Sequence, residues 1–196
     1  MSLTADKGQP SAPGVPAPRF QFTVADLYAL SSVGLFTGRR VQLWDGDIID
    51  MTVNPPHAKA VTALQKILTI TFADRAIIYS QNPLDLGEPK TLPEPDVMLL
   101  KPGEYTDAAG RDRHPVASEV LLLIEVSDTT LLMDQTKKLS TYAAHGVGEY
   151  WIADLKSETW YVHHTPFEDG YRTRLSYRFG EAFAPLAFAE QADVWL

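Results

Sequence analysis

The run Val120-Leu121-Leu122-Leu123-Ile124 ends on an acid, Glu125, and continues through Val126-Ser127 to Asp128. Five aliphatic residues in succession read as a strand covered on both faces, the centre of a sheet flanked by helices rather than a half-solvated edge. A carboxylate closing such a strand is expensive. Without a cation or a set of donors it would neutralise instead of staying charged. The stretch therefore predicts two things together: a central strand, and a partner for Glu125.

Two neighbouring stretches offer partners. Pro93-Glu94-Pro95-Asp96 is a proline-stiffened entry into the apolar strand Val97 to Leu100, with Asp96 at its mouth. Downstream, Asp134 to Ala144 reads as a helix, with Leu132, Leu139, Tyr142 and Ala143 recurring at spacings of three and four. That leaves Lys137 and Lys138 facing outward or toward the sheet edge. Two carboxylates and an ammonium at strand and helix ends suit metal-assisted phosphodiester hydrolysis: hard oxygens hold Mg²⁺ or Mn²⁺, and a lysine orients a water, helps deprotonate it or steadies phosphate charge. Acids at strand ends are common, however. A plain ion-pair role for Glu125 stands beside the catalytic one.

With 196 residues and 45% hydrophobic content, the chain is long enough for one sizeable core. No apolar run approaches a membrane span and no charged-then-apolar leader follows Met1, so the expected location is the cytoplasm. There is no cysteine, which excludes disulfides and thiolate metal sites. The net charge of −8 argues against broad nonspecific nucleic-acid affinity, and no basic block compensates for it. A Gly-rich phosphate loop, a His-Glu-x-x-His helix and a serine nucleophile elbow are all missing, which disfavours the commoner phosphotransferase, zinc-protease and hydrolase readings.

In chain order, residues 1–19 are rich in Pro, Gly, Ser and Ala and are expected to form a disordered tail, with one domain over 20–196. Thr23 caps a helix that Asp26 completes as a capping box and Gly34 ends. Asp45-Gly46 predicts a tight hairpin between Val41–Trp44 and Asp47–Met51, with Gln42 aimed by its strand. Asn54-Pro55-Pro56 launches a helix through Phe72, striped by Val61, Leu64, Ile67, Leu68 and Phe72, with His57 in its first turn. A histidine there is more often solvated or a local hydrogen-bond donor than a ligand. Ile77–Ser80 and Pro83–Leu86 read as short strands.

Lys101 to Pro115 reads as a surface loop or lid whose Arg111 and Arg113 are either solvated or in contact with phosphate. Asp128 is expected to order the loop before the lysine helix by accepting backbone N–H bonds, or to approach a metal through water. Asp134 is placed to orient Lys138 one turn later. Glu149–Asp154 is a further buried strand. Glu158–His164 and Tyr171–Phe179 form an antiparallel pair, and Phe183–Leu196 adds a short strand and an aromatic end that docks on the core or on a second subunit.

The ordered series Pro95-Asp96-Val97, Ile124-Glu125-Val126-Ser127-Asp128-Thr129-Thr130, Asp134, Lys138-Leu139, Tyr142-Ala143, Gly146-Val147 and Glu149-Tyr150-Trp151-Ile152 resembles the bacterial Uma-two family, endonucleases of the restriction-endonuclease-like PD-(D/E)xK superfamily. The likeness runs from about Phe22 to His164. It implies a restriction-endonuclease-like α/β fold, a mixed central sheet flanked by helices with an N-terminal helix-hairpin and C-terminal antiparallel strands. It implies Asp96 and Glu125 as metal ligands, the Val126 carbonyl as a third, and Lys138, rather than a lysine at Ser127, as the catalytic ammonium. His57 also matches a family position. Where the family carries a glutamate before the hairpin turn, this chain has Gln42, which brings a carbonyl but no charge.

The resemblance thus implies Mg²⁺- or Mn²⁺-dependent cleavage of DNA, with Gln42, His57, Asp128 and Asp134 as accessory candidates and a homodimer as the expected assembly. Two rivals stay open: a noncatalytic binding module that keeps the fold, and a hydrolase of small phosphate esters.

Overall fold

The computed structural model describes residues 19–51, 54–193 and 195–196, so the expected tail over 1–19 lies outside the described residues except for Arg19. Helix α1 (Val24–Ser32) starts at Thr23, whose hydroxyl accepts from the Asp26 N–H while the Asp26 carboxylate accepts from the Thr23 N–H. The hairpin β1 (Val41–Trp44) and β2 (Asp47–Asp50) turns on Asp45 and Gly46, both at positive φ (48° and 82°). Only glycine suits the second position, because a Cβ there would sit 2.6 Å from Cβ of Gln21. Asn54 caps α2 (Pro55–Phe72) by accepting from the His57 N–H, and Pro55 and Pro56 fall in the first turn, where missing N–H groups cost nothing.

The main sheet runs in sequence order: β3 (Ile77–Ser80), β4 (Val97–Leu100), β5 (Val120–Ser127), β6 (Glu149–Asp154), β7 (Thr159–Phe167) and β8 (Gly170–Arg178). Every neighbouring pair is antiparallel except β5 and β6. A parallel pair needs a crossover, which is supplied by α3 (Leu131–Met133), a π-helical turn (Asp134–Lys138) and α4 (Leu139–Ala144).

Helices cover both faces of the sheet. Leu122, Ile124 and Val126 of β5 face α2, where Val61, Leu64, Leu68 and Phe72 are buried, each worth about 1.5–3 kcal/mol of apolar burial. Leu123 faces the other way, into a cluster with Trp44, Met98, Tyr142, Tyr150 and Ile152. The result is the mixed α/β architecture expected of the chain, with β5 near its centre.

Several local expectations fail. Pro83–Leu86 is not a strand; it makes only an isolated bridge, Asp85 to Val116. Leu132 is exposed (77%) rather than part of the apolar stripe, because the helix widens just after it. Of the two lysines, Lys138 turns toward the strand end, where it is buried against Glu125. Phe183–Leu196 forms a 3₁₀ turn (Leu186–Phe188) and one bridge, Phe183 to Asp193, rather than a strand. Phe183, Phe188 and Trp195 do dock on the core: Phe188 stacks on Phe72 at 4.6 Å, and the Trp195 indole donates to the Phe183 carbonyl. Among the described residues no helix is long and apolar enough to cross a membrane.

Glu149 fastens this C-terminal segment. Its carboxyl accepts from the Trp151 indole and from the Leu186 N–H, both at 2.8 Å, and among the described residues no cation pairs with it. Burial pushes its pKa up to about 7 against the partial relief of those two donors. The folded value lies above the unfolded one, so its contribution to stability is full below about pH 4.5 and is lost as pH rises through 7. Urea unfolding is expected to show the wild type losing up to about 3 kcal/mol between pH 4.5 and 8 relative to Glu149→Gln, in which this slope is absent.

Candidate active site

Strand register brings the two predicted acids together. Val97 pairs with Ile124 in the antiparallel β4–β5 ladder, so the next residues outward, Asp96 and Glu125, are cross-strand neighbours on the face that α4 covers. Both are buried, 3% and 2% exposed. Like charges so placed repel, and burial compounds the cost.

Lys138 answers that cost. Its Nζ lies 3.0 Å from Glu125 Oε2 and 2.8 Å from Asp134 Oδ1, and it is itself buried. The Tyr142 hydroxyl donates to Glu125 Oε1 at 2.8 Å, and the Thr130 hydroxyl donates to Asp134 Oδ2. Asp96 Oδ2 accepts from the Val126 N–H at 2.8 Å and lies 3.0 Å from His57 Nε2, so both its bonds fall on one oxygen. Burial pushes the Glu125 pKa up to about 8, with Lys138 opposing and Asp96 and Asp134 adding to the rise. Burial alone would lower the Lys138 pKa, but the surrounding carboxylates of Glu125, Asp134 and Asp96 outweigh it and hold the ammonium charged. The hydrogen bond to Asp96 raises the His57 pKa.

Helix geometry delivers the lysine. Between Asp134 and Lys138 the backbone follows a π turn, and the Asp134 carbonyl accepts from the buried Tyr150 hydroxyl of β6 at 3.1 Å. Such wide turns recur at functional sites because they re-aim side chains. Lys137, the neighbour, points elsewhere: it pairs with Asp45 at 2.9 Å and lies over the Trp44 ring.

These groups line a cavity of about 130 Å³, with Gln42, Asn54, His57, Asp96, Glu125, Val126, Asp128 and Lys138 in its wall. Gln42 is buried, and its Oε1 accepts from the Glu94 N–H at 3.4 Å. Asp128 does not cap the following helix, whose first residue has no side-chain cap; it accepts from the Asn54 amide at 2.6 Å instead. Arg111 and Arg113 do not line the cavity, since each is held by an acid nearby in sequence, Asp107 and Glu119.

Sequence reasoning left two groups out of the cluster, the Tyr142 and Tyr150 hydroxyls. Tyr142 belongs to the apolar spacing of the helix and Tyr150 to the buried strand Glu149–Asp154, and only their pairing with buried acceptors marks them as more.

Three carboxylates surround one lysine, His57 adds a ring nitrogen to the same wall, and among the described residues Asp96 Oδ1 has no hydrogen bond. Among the described residues no three of His, Cys, Asp and Glu form a cage for an ion. A divalent ion here would rest on the two strand carboxylates with backbone and water oxygens, the usual manner of Mg²⁺.

The Uma2 family model, described as "putative restriction endonuclease", matches residues 24–194. No curated protein matches. Among solved structures, a "putative nuclease belonging to DUF820" from Anabaena variabilis superposes with a TM-score of 0.67 at 16% identity, over 89% of this chain and 95% of that one. At that identity the likeness is one of fold.

Removing the ammonium should leave Glu125 and Asp134 buried and unpaired. Lys138→Met is expected to destabilise by about 3–5 kcal/mol in urea unfolding at pH 8, and the double variant with Glu125→Gln to recover part of the loss.

Proposed function

Because the chain belongs to the Uma2 family, we propose that Asp96, Glu125 and Lys138 form the catalytic centre of a Mg²⁺- or Mn²⁺-dependent endonuclease that hydrolyses phosphodiester bonds in DNA. The observation that carries this reading is the crowding of three buried carboxylates against a single lysine at the wall of an open cavity. Such an arrangement is costly for a purely structural ion pair and is relieved by a second cation.

Asp96 and Glu125 would hold the ion, with the Val126 carbonyl as a further oxygen. When bound, the ion supplies Lewis acidity to a phosphoryl oxygen and lowers the pKa of a coordinated water.

The chain's own groups do the rest. The Val126 N–H and His57 fix the Asp96 carboxylate, and the Tyr142 hydroxyl fixes one oxygen of Glu125. Lys138, paired with Glu125 and Asp134, stabilises negative charge on the phosphate and orients the attacking water by donation. Asp134 is the positioning residue for Lys138. Cutting both strands calls for two such centres, which a homodimer supplies.

One observation favours a second reading, a noncatalytic binding module: Gln42 lines the cavity where the family carries a glutamate, so the site is one negative charge short. Mn²⁺ calorimetry separates the two. The nuclease reading expects binding to the wild type that vanishes in the Asp96→Ala, Glu125→Ala double variant. It also expects Lys138→Ala, checked for folding, to bind Mn²⁺ while losing plasmid cleavage by about 100-fold or more. Gln42→Glu should tighten Mn²⁺ binding by about tenfold, its Oε1 keeping the bond from Glu94. Cleavage that survives in either single variant, Asp96→Ala or Glu125→Ala, would sink the assignment, and turnover of small phosphate esters without cleavage of DNA would move it to the ester-hydrolase class.

A further inference from the structure

A second cavity, of about 360 Å³, opens between the crossover helix and the edge strand β8. Its walls follow from register. His163 lies opposite Arg174, and Tyr161 opposite Ser176, in the β7–β8 ladder, while Gln135 and Leu139 come from the π turn and the start of α4. His163 is buried, 6% exposed, yet neither ring nitrogen has a hydrogen-bond partner among the described residues. Tyr150 and Tyr171 pack at 6.0 Å from its ring and offer it no polar contact. Buried unpaired polar atoms cost stability and call for a partner.

The lining indicates the partner's chemistry. Its polar side chains can all donate: a guanidinium, an imidazole, a primary amide and two hydroxyls, with no carboxylate among them. Arg174 has no ion pair among the described residues, although Glu168 and Asp169 of the hairpin tip line an adjoining depression with it. The same edge strand carries Arg172, stacked on Phe167 at 4.1 Å, and Arg178; among the described residues neither side chain forms an ion pair, although the Arg178 backbone N–H donates to the Glu181 carboxylate at 2.7 Å. Within a chain of net charge −8, this strand is a local exception. A row of unpaired arginines suits a polyanion, and a guanidinium fork suits phosphate.

We propose that the cavity framed by Gln135, Tyr161, His163, Arg174 and Ser176 is a phosphate-binding subsite, and that the phosphate it takes belongs to a nucleic-acid strand lying along β8. The choice of strand rests on the nuclease reading; the choice of phosphate does not. Gln135 and Leu139 immediately follow Asp134 and Lys138, so one helical segment serves both sites. Burial and the nearby Arg174 charge hold His163 neutral, with a pKa near 4, so an arriving anion alters the ring's hydrogen bonding and its proton affinity together.

The test uses the full chain in EDTA, so that binding is read without cleavage. Inorganic phosphate is titrated while the His163 imidazole signals are followed by NMR, and duplex DNA affinity is measured by anisotropy across salt. Phosphate is expected to shift the His163 signals in the wild type and not in Arg174→Gln. The Arg174→Gln, Arg178→Gln double variant, whose native side chains are exposed and make no ion pair among the described residues, should lose duplex affinity by about tenfold with a salt slope reduced by about two.

His163 signals that ignore phosphate overturn the subsite. Signals that respond to phosphate while duplex affinity is unchanged support the subsite and overturn the strand as its source. Because binding is scored in EDTA, an inactive chain that loses affinity in the variant keeps the subsite even as the nuclease reading fails.

Discussion

The charge balance around Lys138 is the constraint on which much of this structure depends. One ammonium sits within 3.0 Å of two carboxylates, with a third, Asp96, on the strand beside them. Each of these groups is 6% exposed or less, so water does little of the screening. The sheet centre tolerates acids only because a helix delivers a cation to them, and the helix keeps its position partly because the acids hold it. Removing either half exposes the cost of the other. Tyrosines finish the arrangement, Tyr142 on the acid and Tyr150 on the helix backbone. Core packing and candidate chemistry therefore share the same side chains.

The two faces of the sheet divide the labour. The α2 face is closed and mostly apolar, sealed further by Phe183, Phe188 and Trp195, with Glu149 as its buried acid. The opposite face carries Asp96, Glu125 and, farther out, His163 among its hydrophobic residues. Strand alternation alone separates these environments, because successive residues of β5 face opposite ways. A single strand can thereby anchor the core with Ile124 and present an acid with Glu125.

Much of this was legible in the sequence where local chemistry decides the outcome. The Thr23 and Asn54 caps, the Asp45-Gly46 turn and the aliphatic run of β5 each specify their element through neighbours a few residues away. The choice between Lys137 and Lys138 was made by resemblance; in the structure Lys138 lies in the acid cluster and Lys137 pairs with Asp45. What escaped depends on long-range contacts. Leu132 fits an apolar stripe only if the helix keeps a regular period, and Pro83–Leu86 looked like a strand but found no partner beyond a single bridge. Asp128 looked like a cap, yet Asn54, 74 residues away in sequence, is what it meets. The empty hydrogen-bonding capacity of His163 is invisible without the fold, because nothing in Tyr161-Val162-His163 says which residue will stand opposite.

The wide turn at Asp134–Lys138 bears on how sequences of this kind are compared. Within a regular α-helix, the direction of a side chain follows from counting residues. A π turn breaks that count, so every residue after it is rotated away from where an α period would put it. The acid-to-lysine spacing is therefore a property of turn width as well as of sequence distance. A one-residue insertion or deletion in a related chain can be absorbed by the width of this turn while the ammonium stays in the same space. An alignment that insists on a fixed interval between acid and lysine would call such a chain defective when its geometry is intact.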